Sequence, residues 1–69
     1  MKLKYAVALI KGEDETILGL FKTKDEADDF GRNNRIPPQA GLQYCFAANF
    51  SGKRQIGRNI KIYDYYNMN

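Results

Sequence analysis

Residues 19–30 read GLFKTKDEADDF, and within them one periodicity gives way to another. Upstream lies a β-rich run, Thr16–Phe21; from Thr23 onward, polar and acidic residues surround Ala27 and Phe30 at helical spacing. Thr23-Lys24-Asp25-Glu26 has the form of a capping box. The threonine hydroxyl accepts from an orphan backbone N–H, and the glutamate three residues on reaches back. Asp25, Glu26, Asp28 and Asp29 fall in the first turns, where the helix dipole favours negative charge. Ala27, Phe30, Gly31 and Asn34 share one face, whose apolar members are expected to pack on a sheet. Arg32 and Arg35 suit the C-terminal end, Asn33 or Asn34 suits a left-handed cap, and Pro37-Pro38 stops the helix after about three turns.

Working outward, KLKYAVALI at 2–10 alternates strictly. Leu3, Tyr5, Val7 and Leu9 lie on one face, with Lys2, Lys4, Ala6, Ala8 and Ile10 on the other. A polar turn at 11–15 joins this strand to Thr16–Phe21 as a hairpin. There Leu18 and Leu20 are expected on one face, Ile17 and Phe21 on the other, with Gly19 at a bulge or a close backbone approach. Beyond the helix, Leu42, Tyr44, Phe46, Ala48 and Phe50 alternate with Gln43, Cys45, Ala47 and Asn49. Residues 51–59, SGKRQIGRN, read as a basic loop. Ile60–Tyr66 reads as the last strand, with Ile60 and Ile62 inward and Lys61, Tyr63 and Tyr65 outward; 67–69 are expected to fray.

The order β-β-α-β-β predicts a single small α+β domain over 1–69: a four-stranded antiparallel sheet with one helix packed on one face. A lone helix would leave the other face bare. On this register that face carries Ala6, Ala8, Ile10, Cys45, Ala47, Lys61, Tyr63 and Tyr65.

Composition removes several function classes. The 69 residues include one cysteine and no histidine, so neither an internal disulfide nor a zinc site of the usual ligands is expected. No apolar run approaches about 18 residues, and Met1-Lys2-Leu3-Lys4 lacks the long apolar region of a signal peptide. The expectation is a cytoplasmic protein with no membrane association, metal or cofactor. Catalysis is not expected either: no histidine offers a general base, and Cys45 sits mid-strand. The acids at 25–29 are accounted for by helix initiation. The glycines of Gly52-Lys53-Arg54-Gln55-Ile56-Gly57 do not have phosphate-loop spacing.

What remains is binding, and charge gives it a direction. Residues 1–30 carry five lysines against seven acids, whereas 31–69 carry six cations against Asp64 alone. A basic half beside tyrosines on an open sheet suggests nucleic acid, gripped by Lys53, Arg54, Arg58 and Lys61 and stacked by Tyr63 and Tyr65. The alternative is a protein partner or a homodimer. It would use the small residues of the bare face, Ala6, Ala8, Ile10, Cys45 and Ala47.

The stretch Gly19-Leu20-Phe21-Lys22-Thr23-Lys24-Asp25-Glu26-Ala27 resembles the arm-type DNA-binding domains of phage and transposon tyrosine recombinases. In those domains a phenylalanine, a Lys-Thr-Lys and a Glu-Ala pair join a sheet to a helix. The resemblance implies DNA binding by a sheet laid in the major groove, and a mobile-element origin. It covers nine of the 69 residues, and this chain departs from the family in having two strands on each side of the helix. No residue's role is carried over. The carboxylates of 25–29 would repel phosphate, so any nucleic acid is expected to lie on the side away from the helix.

Overall fold

The structure, a computed structural model, describes residues 2–68. Strands β1 (Lys2–Lys11) and β2 (Asp14–Phe21) precede helix α1 (Lys24–Asn33). A short 3-10 turn (Pro38–Ala40) leads to β3 (Leu42–Ser51) and β4 (Arg54–Tyr65). The four strands form one antiparallel sheet in the order β2-β1-β3-β4, so β2 and β4 are its edges.

Both hairpins turn on two residues, Gly12-Glu13 and Gly52-Lys53. Gly12 and Gly52 take φ of 63° and 60°, while Glu13 and Lys53 keep negative φ. A glycine in the first central position is what a primed hairpin turn of this kind requires. The expected basic loop at 51–59 is therefore mostly strand, because the tight turn lets pairing resume at Arg54 opposite Ser51.

The helix begins as its sequence dictates. Thr23 accepts from the Glu26 backbone N–H at 3.2 Å, and its hydroxyl donates to the Glu26 carboxylate at 3.1 Å. Its other end differs from expectation. Asn34 stays at negative φ and donates through Nδ2 to the Phe30 carbonyl at 2.9 Å, a side-chain cap in place of a left-handed one.

The pairing of β1 with β3 decides which residues share a face. Ala6 lies opposite Phe46 and Ala8 opposite Tyr44, while Val7 lies opposite Cys45. Cys45 and Ala47 therefore belong to the helix face, not to the face of Ala6, Ala8 and Ile10. The packing explains this register. Beneath the helix, small residues leave room: Val7, Ala27 and Cys45 form a core with Tyr66, flanked by Tyr5, Leu18, Phe21 and Phe30. On the opposite face, the β1 alanines make space for the rings of β3. There Ala6, Ala8, Tyr44, Phe46, Ala48 and Phe50 form a second core, flanked by Ile10 and Leu20.

The second face is not bare, as a one-helix arrangement suggests, because the sheet's own edges curl over it. In β4, three extra residues bulge between the Asn49↔Ile56 and Ala47↔Lys61 pairs, next to Gly57 at φ 80°. From β3 the Tyr44 hydroxyl donates to Glu15 of the β2 edge at 2.6 Å, and within the bulge Asn59 accepts from Gln55 Nε2 at 2.7 Å. The Tyr44–Glu15 bond forms a polar bar across the concave face from β3 to the β2 edge. Phe46 and Phe50 beneath and beside it are closed to solvent.

Irregularities in both edge strands reset the alternation. In β2, Val7 pairs with Gly19 but Ala8 with Ile17, leaving Leu18 as a bulge. Leu18 and Phe21 thus serve the helix-side core, while Leu20 serves the concave one. In β4, the register shifts again between Tyr44 and Phe46. That shift separates Tyr63 from Tyr65 and turns Tyr66 inward.

Candidate nucleic-acid interface

The residues expected to bind nucleic acid do not form one surface. Lys53 occupies the β3–β4 turn and Arg54 opens β4; both are exposed. Arg58 lies exposed in the β4 bulge. Lys61 pairs with Ala47, on the helix face, and its ammonium sits 5.1 Å from the centre of the Tyr63 ring. Tyr63 also has the Lys24 ammonium at 5.3 Å and the Tyr5 ring at 5.8 Å. It is packed, not presented. Tyr65 faces the concave side, stacked on Tyr44 at 6.0 Å with 41% of its surface exposed. Plain alternation would put these two tyrosines together, and the bulge between them is why it fails here.

The alternative set is likewise divided. Ala6 and Ala8 are fully buried in the concave core and Ile10 packs against it, whereas Cys45 and Ala47 are buried on the helix side. Burial pushes the Cys45 thiol up, which keeps it protonated. Exposed apolar side chains of the sheet concentrate instead on edge strand β4, at Ile56, Ile60 (60% exposed), Ile62 (46%) and Tyr65, with Leu3 on β1 and Ile17 on β2 besides. Ile60 and Ile62 were expected inward. The bulge that closes the concave core leaves them at its rim.

The register does gather cations elsewhere. Lys2 lies opposite Phe50 and Lys4 opposite Ala48, while Lys22 directly follows Phe21, the partner of Tyr5. With Lys53 and Arg54, five positive side chains collect at one end of the sheet. Lys4 Nζ donates to the Gly52 carbonyl at 3.3 Å, which ties β1 to the turn. Among the described residues, ion pairs form only from Lys24 to Asp28 and Asp64, so none of the five has a carboxylate partner. The acids Glu13, Asp14 and Glu15 occupy the opposite end; α1, with Asp25 and Glu26 in its first turn, starts from the basic end but packs on the other face. Lys2 and Lys4 were invisible as members of this group, since their proximity to Lys53 follows from the β1–β3 pairing.

A groove of about 520 Å³ opens beside these cations. Ile17, Leu18, Gly19 and Leu20 of β2 form one wall, Gly52 and Lys53 the other, and Lys4 reaches into it. It lies in the gap between the sheet's two curled edges.

A second polar cluster lies under the helix. Asp28, only 7% exposed, accepts from the Tyr66 hydroxyl at 2.8 Å and from Lys24 Nζ at 2.7 Å; Lys24 also donates to Asp64 at 3.0 Å. Burial disfavours the Asp28 carboxylate, but the hydrogen bonds from Lys24 and Tyr66 outweigh it and hold its pKa below the usual value. Burial, then the Asp28 hydrogen bond, pushes the Tyr66 hydroxyl up, so it stays a donor. Asn67 is pinned beside it. Its Nδ2 donates to the carbonyls of Ile36 and Gly41, and its Oδ1 accepts from the Gln43 N–H at 2.8 Å. The expectation of a frayed end at 67 is thus corrected, while Asn69 lies outside the described residues.

Every partner in this cluster is internal, so it reads as a clasp for α1 and the chain's last turn. Among the described residues, no group of three or more acids or thiols converges as a metal site would require, and no helix is long and apolar enough to cross a membrane. No family model, no curated protein and no solved structure matches this chain.

Proposed function

We propose that this chain is a non-enzymatic binding module that grips the phosphate backbone of nucleic acid at the basic end of its sheet. The observation that carries this reading is the convergence of Lys2, Lys4, Lys22, Lys53 and Arg54, none of them ion-paired among the described residues, at an end of the sheet whose helix and its acids pack on the other face. Unpaired cations held at the end of a rigid sheet release counterions on meeting a polyanion, which is the main source of non-specific affinity. Arg58, further along β4, extends the grip. Tyr63 and Lys61 take no part in this reading, since they stack on each other on the helix side.

The test is a titration of labelled oligonucleotides, single- and double-stranded, at low and moderate salt. Four to five phosphate contacts predict a log–log salt slope of roughly −3 to −3.5 on a single strand and roughly −3.5 to −4.5 on a duplex. The double variant Lys53→Glu with Arg54→Glu should abolish binding. No binding at low salt, or a slope near zero, overturns the reading.

One observation favours a second reading. Ile60, Ile62 and Tyr65 expose apolar surface along an edge strand whose outer backbone groups face no neighbouring strand. Association of two copies through β4 would cover it. Light scattering across a concentration series tests this, and a strict monomer at high concentration excludes it.

A further inference from the structure

We propose that the groove between β2 and the β3–β4 turn takes one unpaired base, so that the partner is a single strand rather than a duplex. This rests on the nucleic-acid reading above and names its substrate class.

The groove has the two properties that a nucleotide requires. Its β2 wall carries the aliphatic side chains of Ile17 and Leu20, on the concave side, and Ile17 is 38% exposed. Its rim is cationic, with Lys4 and Lys53 both contributing to the lining. Lys4 donates one of its three protons to the Gly52 carbonyl, which fixes the ammonium at the mouth and leaves two donors free. A flat, apolar-faced ring bearing a phosphate satisfies both walls at once. A neutral apolar ligand would leave the cations unused, and an inorganic anion would leave the aliphatic wall wet. The volume of about 520 Å³ suits a single nucleotide among ligand-sized sites.

Strandedness follows from access. In a duplex both faces of each base are covered by stacking, and only edges and backbone are offered to a protein. A base enters a slot between two strands only when it is unstacked. The tyrosines do not provide an alternative platform: Tyr63 is half-buried against Tyr5 with Lys24 and Lys61 over its ring, and Tyr65 lies on Tyr44, away from Lys4 and Lys53. The same cations thus serve the backbone, while the groove distinguishes the state of the base.

Three probes of equal length separate the possibilities: a single strand, made as both DNA and RNA, the corresponding duplex, and a fully abasic strand of the same charge. The single strand, of either sugar, should bind about ten-fold more tightly than the duplex or the abasic strand. Ile17→Ala should lower single-strand affinity roughly five-fold and leave abasic affinity unchanged. Unchanged abasic binding also shows that the variant is folded. Equal binding of normal and abasic strands, or tighter binding of the duplex, overturns this inference while leaving the backbone grip standing. Failure of all three probes to bind at low salt overturns both.

Discussion

The Tyr44 hydroxyl donates a 2.6 Å hydrogen bond to the Glu15 carboxylate, linking β3 to β2 across the full width of the intervening β1. Burial first, and then the carboxylate itself, pushes the Tyr44 pKa up, so the hydroxyl remains a donor at any ordinary pH. The pair forms a bar that bridges β1 over the concave core, on a face that no helix covers. Tyr44→Phe keeps the ring packing but breaks this bar. We expect a loss of about 1 kcal/mol in urea unfolding, because Glu15 is exposed and regains water. Wild-type stability in Tyr44→Phe would show that the rings alone close the face.

The clasp beneath the helix makes stability depend on pH. The Asp28 pKa is depressed on folding, so its contribution is present above the unfolded carboxylate value and is lost as pH falls through the folded one. Asp28→Asn should cost about 1–2 kcal/mol at neutral pH, discounted because Lys24 is partly exposed. The difference between variant and wild type should shrink on acidification below about pH 4. Denaturant curves at neutral and acidic pH supply the comparison, and a gap that widens with acid contradicts the assignment.

Gly31 is a position where helix propensity and packing disagree. A Cβ there would stand 2.5 Å from the Tyr66 ring. Alanine gains about 1 kcal/mol as a helix former, but forcing the helix off Tyr66 costs about 1–3 kcal/mol. We expect Gly31→Ala to lower the melting temperature, and a rise would mean that α1 shifts freely over the sheet.

The two faces of the sheet respond differently to charge. Ala47 is 2% exposed, on the helix side, so Ala47→Glu should unfold the protein and cannot report on association. Ile62→Glu lies at the rim of β4 and should leave circular dichroism and melting nearly unchanged. If two copies meet through β4, this variant abolishes the dimer in light scattering. A dimer that survives it places the contact elsewhere.

How much of this was legible depends on the residue. The helix start at Thr23, the alternation of β1 and β3 and the overall order of elements were readable, because capping chemistry and period-two patterning are local. The pairing of faces was not. Both sides of β1 and β3 are apolar enough to be buried, so a pattern that alternates cannot say whether Phe46 joins Val7 or Ala6. Only the choice between large-on-small and small-under-helix decides that, and it is a property of the assembled sheet. The shifts in β4 were equally hidden, since nothing in Tyr63-Asp64-Tyr65-Tyr66 marks where the register slips. The basic end was half visible. Lys53 and Arg54 stood out as a pair, but Lys2 and Lys4 join them only through strands some fifty residues apart in sequence.

The step from Tyr65 to Tyr66 makes the two interiors one cooperative unit. Tyr65 stacks on the concave side while Tyr66 fills the space under the helix, so two adjacent residues complete opposite cores. β1, an inner strand paired with both β2 and β3, divides its own faces between those same cores. A substitution that loosens the segment at Tyr65 and Tyr66 should therefore weaken both interiors together, and the sheet should unfold in a single transition.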